Sequence, residues 1–242
     1  MLLGVPEINV NLATYSIPTF TSFPDHGKVP PVMLACNQLH PKIVMKFLKH
    51  EDIDLSVKDL NGETILHYAA SCCATSTKAL TKIPDLNWNE GDNFGKTPLW
   101  WGLNYGQDEV VKILISLSNI NYNVKTKEGE TLATRCVTSD HENHLKCLEL
   151  LTDVVHVDWN IPDKNGDTPI LWCVKNNLIQ KIKILLKCPR VDPNVKDLQG
   201  NTCALFALKN DKMEALEMLI KDNRTEINVK DNEGISSVTS IC

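Results

Sequence analysis

Cys136, His141, His144 and Cys147 put two thiols and two imidazoles in one short run, with the donor types and compactness of a tetrahedral zinc site. Cys72 and Cys73 are adjacent, so they lack the two-residue spacer of a redox dithiol. No Gly-x-x-x-x-Gly-Lys or Gly-x-Gly-x-x-Gly run is present to cradle phosphate, and no Gly-x-Ser-x-Gly elbow to present a nucleophile. Asp, His and Ser occur throughout, but catalysis requires such groups to converge on a partly dry pocket. Whether they converge depends on the elements that carry them.

Composition narrows the classes first. Apolar residues make up 43% and charged residues 23%, the balance of a globular chain rather than a disordered one. A net charge of −5 and a pI near 5.8 give no general electrostatic footprint for nucleic acid or an anionic membrane. No run is long and apolar enough to span a bilayer. Met1 to Glu7 has no basic region and too short an apolar stretch for a signal peptide. The nine cysteines are odd in number and mostly lie inside apolar segments. They predict a reduced intracellular protein, cytoplasmic in the first instance and nuclear in the second.

The chain repeats itself. Asp59-Leu60-Asn61-Gly62-Glu63-Thr64 returns as Asp92-Asn93-Phe94-Gly95-Lys96-Thr97, as Asp163-Lys164-Asn165-Gly166-Asp167-Thr168 and as Asp197-Leu198-Gln199-Gly200-Asn201-Thr202. Weaker copies stand at Lys127-Glu128-Gly129-Glu130-Thr131 and Asp231-Asn232-Glu233-Gly234. From glycine to glycine the spacings are 33, 34, 37, 34 and 34, the long one holding an insertion around Asp140–Asn143. Each position has a physical task. Aspartate accepts turn amides, glycine supplies positive φ, and threonine two residues later caps a helix. Pro98 and Pro169 suit the first helical position, where no donor is needed. The first helix carries a small inner residue (Ala35, Ala69, Gly102, Cys136, Cys173, Ala207), which lets helices approach closely. A second helix has apolar residues at helical spacing, as in Val110-Val111-x-Ile113-Leu114-Ile115. A loop of the type Val157-Asp158-Trp159-Asn160 then returns the chain to the next turn.

The pattern Asp-x-x-Gly-x-Thr-Pro-Leu-His-x-Ala-Ala, a second helix ending Leu-Leu, then Asp-x-Asn, resembles the ankyrin repeat from about residue 25 onwards. The resemblance implies an all-α solenoid of helix-turn-helix pairs with turn loops at one edge and a concave face for partners. The implied repeats occupy 25–58, 59–91, 92–125, 126–162, 163–196 and 197–230, followed by a partial copy at 231–242. Residues 1–24 read as the remnant of a preceding repeat plus a loop, because Met1 to Asn11 parallels Leu185 to Asn194. Both ends therefore look cut, and the chain is expected to be a segment of a longer array.

Departures from the pattern carry expectations of their own. Only His67 keeps the family's histidine, and the resemblance implies a structural role for it between repeats. In the second repeat Ser71 to Thr77 is expected to join the helices, leaving a weak second helix at Lys78–Ile83. Leu55, Trp88, Tyr122, Trp159, Pro193 and Ile227 share one loop position and should pack repeat on repeat. The neighbouring Asn89, Asn123, Asn160, Asn194 and Asn228 read as loop-holding turn residues, with asparaginyl hydroxylation as the family-based alternative.

Function then follows by elimination. Cys136 falls at the small inner position and Cys147 opens an apolar stripe, so no metal and no cofactor are expected, the Cys136/His141/His144/Cys147 set remaining the alternative. Residues that neither turn, cap nor pack are left for a partner: Asn61, Glu63, Glu130, Asp167 and Gln199, and above all Phe94 and Tyr105 as aromatic anchors. Lys96, Lys127, Lys164, Lys175 and Lys209 form the expected rim. The chain reads as a non-catalytic protein-interaction scaffold with a protein partner, and no nucleic acid, membrane insertion or small-molecule substrate is expected. The alternative is a regulatory or targeting segment of a larger ankyrin-containing protein (a channel, toxin or ligase adaptor), or an inhibitor resembling the NF-κB inhibitors.

Overall fold

The computed structural model describes residues 10–12, 14–15, 28–139, 143–234 and 236. The chain divides into two compact units, Met1–Asn121 and Tyr122–Cys242. Each unit holds three helical hairpins among its described residues. In the first they are α1 (Pro31–Asn37) with α2 (Pro41–Phe47), α3 (Ile65–Cys72) with α4 (Ala74–Leu80), and α5 (Pro98–Asn104) with α6 (Asp108–Ile115). In the second they are α7 (Leu132–Thr138) with α8 (Asn143–Thr152), α9 (Pro169–Lys175) with α10 (Ile179–Lys187), and α11 (Cys203–Lys209) with α12 (Met213–Lys221). Helices of seven to ten residues are unstable alone. Lateral stacking supports them: α1, α3 and α5 pack in series, as do α2, α4 and α6, and the second unit repeats the scheme.

Local chemistry sets the helix starts. Thr97, Thr131, Thr168 and Thr202 each accept the backbone N–H three residues on, and Thr64 accepts that of Leu66. Such a cap is worth about 1 kcal/mol. Pro98 and Pro169 occupy the first helical position as their sequence context predicts, and Pro31 and Pro41 do the same for α1 and α2. The small inner residues are all buried, Ala69, Cys136, Cys173 and Ala207 completely.

The second hairpin departs from expectation. Ser71 and Cys72 continue α3, and α4 starts at Ala74, so Cys73 alone joins the two helices. Cys73 Sγ accepts the Ser76 N–H at 3.4 Å, and Thr77 Oγ1 donates to the Cys73 carbonyl at 2.9 Å. A thiol and a back-bonded threonine thus make a start that a search for Ser, Thr, Asp or Asn caps overlooks. β1 (Thr14–Tyr15), in the segment read as a loop before the first full repeat, pairs antiparallel with β2 (Lys28–Val29) at the start of that repeat, in the register Thr14↔Val29 and Tyr15↔Lys28. The remainder of that expected loop, and most of the expected remnant before it, lie outside the described residues.

Candidate protein-interaction surface

The turns use most of their polar atoms internally. Asp59 Oδ1 accepts the N–H groups of Asn61 and Glu63 at 2.9 and 2.8 Å, and Asp92, Asp163 and Asp197 do the same in their own turns. In the weak copy Thr126 stands in, its hydroxyl taking the Glu130 N–H at 3.1 Å. Gly62 has φ +76°, and a Cβ there would lie 2.5 Å from Asn93 Oδ1, so conformation and close approach both demand glycine. Glu63 and Asp167, expected among the free positions, are buried in these turns.

The loops after the second helices contain a clamp that recurs in both units. Asn89 donates from Nδ2 to the Asn119 carbonyl at 2.6 Å and accepts the Asn121 N–H on Oδ1 at 2.7 Å. Asn123 grips His156 and Asp158, Asn160 grips Arg190 and Asp192, and Asn194 grips Arg224 and Glu226 in the same way. Asn11 makes the equivalent pair with Asp52 and Asp54. Each asparagine side chain therefore fixes the following loop. Beside them Trp88, Tyr122, Trp159 and Pro193 are buried as the shared loop position predicts, while Leu55 is half-buried and Ile227 exposed.

His67 is a structural bridge. Its Nδ1 accepts the Thr64 N–H at 3.0 Å, and its Nε2–H donates to the Lys96 carbonyl of the next turn at 3.1 Å. Burial lowers its pKa, keeping the ring neutral in the tautomer that these bonds require. At the equivalent position Thr134 performs half the task, taking back the Thr131 N–H at 2.7 Å.

Of the candidate zinc donors, His144 has a visible partner of its own. Cys136, His144 and Cys147 are buried, His144 Nε2 lies 2.7 Å from Ser139 Oγ, and His141 lies outside the described residues. Among the described residues no three His, Cys, Asp or Glu side chains gather in metal-binding geometry. Burial pushes the thiols of Cys36 and Cys173 up to about 12 and that of Cys72 to about 11, and raises Cys136 well above its ordinary value. Such thiols are poor nucleophiles.

The sequence-predicted partner residues divide into two groups. Phe94 is 45% exposed at the turn, and Tyr105 is half-exposed at the end of α5. They belong to one cluster: Tyr105 stacks on Trp101 at 5.6 Å and 14°, and Trp101 meets Trp100 edge-on at 5.6 Å. Lys96 Nζ lies 5.1 Å over the Phe94 ring and 4.6 Å over Trp100, within cation–π range. Trp101 Nε1 donates to Asp92 Oδ2 at 3.2 Å, which anchors the cluster to the turn. Lys127 and Lys164 are exposed at their turns. Lys175 and Lys209, expected at the rim, serve the array instead. Lys175 Nζ bonds Asp167 at 2.5 Å and reaches Asp197 of the next turn at 3.2 Å; Lys209 bonds Asn201 at 3.2 Å and Asp231 of the next turn. The reason is local. These ammonium groups stand within reach of the following turn's carboxylate, and burial of that neighbourhood raises the Asp167 pKa even against the ammonium.

Three further cations have no counterpart in the sequence reading. Lys181, buried in α10, donates to the Val137 and Ser139 carbonyls at 2.6 and 2.5 Å, closing the end of α7. Arg190 donates to the Thr152 and Val154 carbonyls, and Arg224 to those of Leu186, Cys188 and Val191, at 2.7 to 3.0 Å. Helix C-termini attract such groups through their orphan carbonyls and partial negative charge.

With these hairpins, turns and clamps in place the class of protein is a stacked-repeat module. Ankyrin repeat family models match residues 136–231, as three copies, and residues 94–127. The chain belongs to the ankyrin repeat family. Its backbone is similar to the crystal structure of the ankyrin repeat domain of Bcl-3, described as a unique member of the IkappaB protein family, with a TM-score of 0.76 at 15% identity over 88% of this chain and 93% of that one. It is also similar to EF0377, an ankyrin repeat protein, with a TM-score of 0.70 at 19% identity over 79% of this chain and 97% of that one. Ankyrin repeats are in general protein-interaction modules, and no helix among the described residues is long and apolar enough to cross a membrane.

Proposed function

We propose that this chain is a non-catalytic adaptor that binds a protein partner through the Phe94–Tyr105 segment. The observation that carries this reading is the cluster of Phe94, Trp101 and Tyr105 with Lys96, displayed on one turn and its first helix. Aromatic anchors beside a cation are the composition of interface hot spots, where truncation costs ~2 kcal/mol or more. In the second unit Lys127 and Lys164 are exposed at their own turns, where a contact would act mainly on association rate. Lys175 and Lys209 are left out of it because their charges are already paired. The reading as a regulatory segment of a larger protein, or as an inhibitor like those of NF-κB, differs in what the array is joined to and shares this surface. A cytoplasmic or nuclear compartment accompanies the proposal, supported by cysteine serving as an inner packing residue at Cys136 and Cys173.

Proximity labelling with the wild-type chain and with a Phe94→Ala/Tyr105→Ala variant tests it. A protein enriched by the wild type should bind the variant at least about tenfold more weakly in a purified assay, with an unchanged unfolding midpoint. Equal affinity of the two chains for that protein would remove the placement.

A further inference from the structure

On the opposite helices of the first unit, α2 and α4 enclose an open groove of about 360 Å³. Met45, Leu48, Ala79 and Ile83 supply its apolar floor, with Met45 39% exposed, and Lys49, Lys78 and Lys82 supply its charge. Among the described residues no carboxylate lines it and none of the three lysines forms an ion pair. A chain of net charge −5 thus carries a locally cationic, apolar trough. Lys78 on α4 and Lys82 just past its end stand four residues apart, so two like charges flank the same groove. The corresponding groove of the second unit, about 510 Å³ among α8, α10 and α12, also has lysines, but Glu149 and Asp222 stand in its wall. Charge compensation is internal in one groove and missing from the other.

We infer that the α2–α4 groove is a second docking site, and that its occupant is an acidic amphipathic helix of a protein partner. The volume lies near the lower end of the ~300–1,000 Å³ range of binding clefts, room for a few aliphatic side chains. Leucines at i, i+3 and i+7 would fill the floor, and flanking glutamates would meet the three ammonium groups. The site lies on the second helices and is independent of the Phe94–Tyr105 reading.

The test uses the full chain and a fluorescein-labelled helical peptide of about four turns, leucine on one stripe and glutamate elsewhere, followed by fluorescence anisotropy. Saturable binding is expected, weakened on the order of tenfold by Lys78→Glu/Lys82→Glu and by raised salt, and unaffected by Phe94→Ala/Tyr105→Ala. Circular dichroism verifies that the charge-reversed chain is folded, and Lys78→Gln/Lys82→Gln replaces it should it not be. Any of four results overturns the proposal: no saturable binding, equal binding of a peptide with lysine in place of glutamate, equal binding of one with serine in place of leucine, or indifference to the lysine substitutions. Sedimentation showing a dimer that Ala79→Glu dissociates would overturn it too, by assigning the groove to a second copy.

Discussion

The two units use the same hairpin and turn, yet they differ in how many long basic side chains they commit to a neighbouring repeat. In Tyr122–Cys242, Lys175, Lys181, Lys209, Arg190 and Arg224 all reach back or forward to a neighbouring repeat, onto carboxylates or helix-end carbonyls. In Met1–Asn121, Lys58 likewise crosses to Glu90 of the next repeat at 2.5 Å, but Lys49, Lys78 and Lys82 face water beside an apolar groove, and Lys96 lies over the exposed Phe94 ring. The clamp differs as well. Asn123, Asn160 and Asn194 follow one another through the second unit, whereas in the first Ser56 interrupts the series between Asn11 and Asn89. Ser56 turns its hydroxyl onto Asp54 at 2.6 Å and, among the described residues, grips no following loop. A solenoid's stability is roughly a sum of repeat and interface terms, so one array can concentrate cohesion in some repeats and recognition in others.

The largest effect that would sharpen this contrast is at Trp159. It is completely buried, and Trp159→Ala should lower unfolding stability by ~3–5 kcal/mol in denaturant titration. Phe94→Ala in the other unit should stay within about 0.5 kcal/mol. Parity between them would break the division of labour. Next comes the clamp itself. Asn160→Ala forfeits two hydrogen bonds to the following loop and should cost ~1–2 kcal/mol, while Ser56→Ala should be near neutral by the same titration.

A smaller effect concerns the link between paired helices. Leu39 has φ +56° where the third hairpin has Gly106 at +62° and the second unit uses Asn177 and Asp211. A leucine in that region is strained, so Leu39→Gly should raise stability by ~1 kcal/mol, read as a higher melting temperature. Last is the pH response of His67. Its folded pKa is depressed, so the unfolded chain takes up the proton first. Its contribution is complete above the ordinary value of 6.5 and is lost as pH falls through that value toward the folded pKa. The stability advantage of wild type over His67→Gln should therefore narrow between about pH 7.5 and about pH 5.5, and a constant or growing gap would contradict the neutral bridge.

Turn aspartates, capping threonines and small inner positions were legible in the sequence because each recurs in register and each acts within a few residues of itself. What escaped acts at a distance or on backbone. Lys175 and Lys209 resemble free surface lysines until the next turn's carboxylate, 22 residues away in each case, is brought alongside. Arg190, Arg224 and Lys181 bind carbonyl groups, which no side-chain pattern reveals. Trp101 links Tyr105 to the turn, but its equivalents are Tyr68, Arg135, Trp172 and Phe206, so the position shows no repeated type. The α4 start was misplaced because its cap is a thiol.

Amide hydrogen exchange along the full chain in rising sub-denaturing urea tests the central claim, that cohesion is concentrated in the second unit, most directly. The amides of α9 to α12 should exchange only through openings near the global unfolding free energy, and those of α1 to α4 through cheaper, local ones. Protection of α1 to α4 equal to or greater than that of α9 to α12 would contradict it.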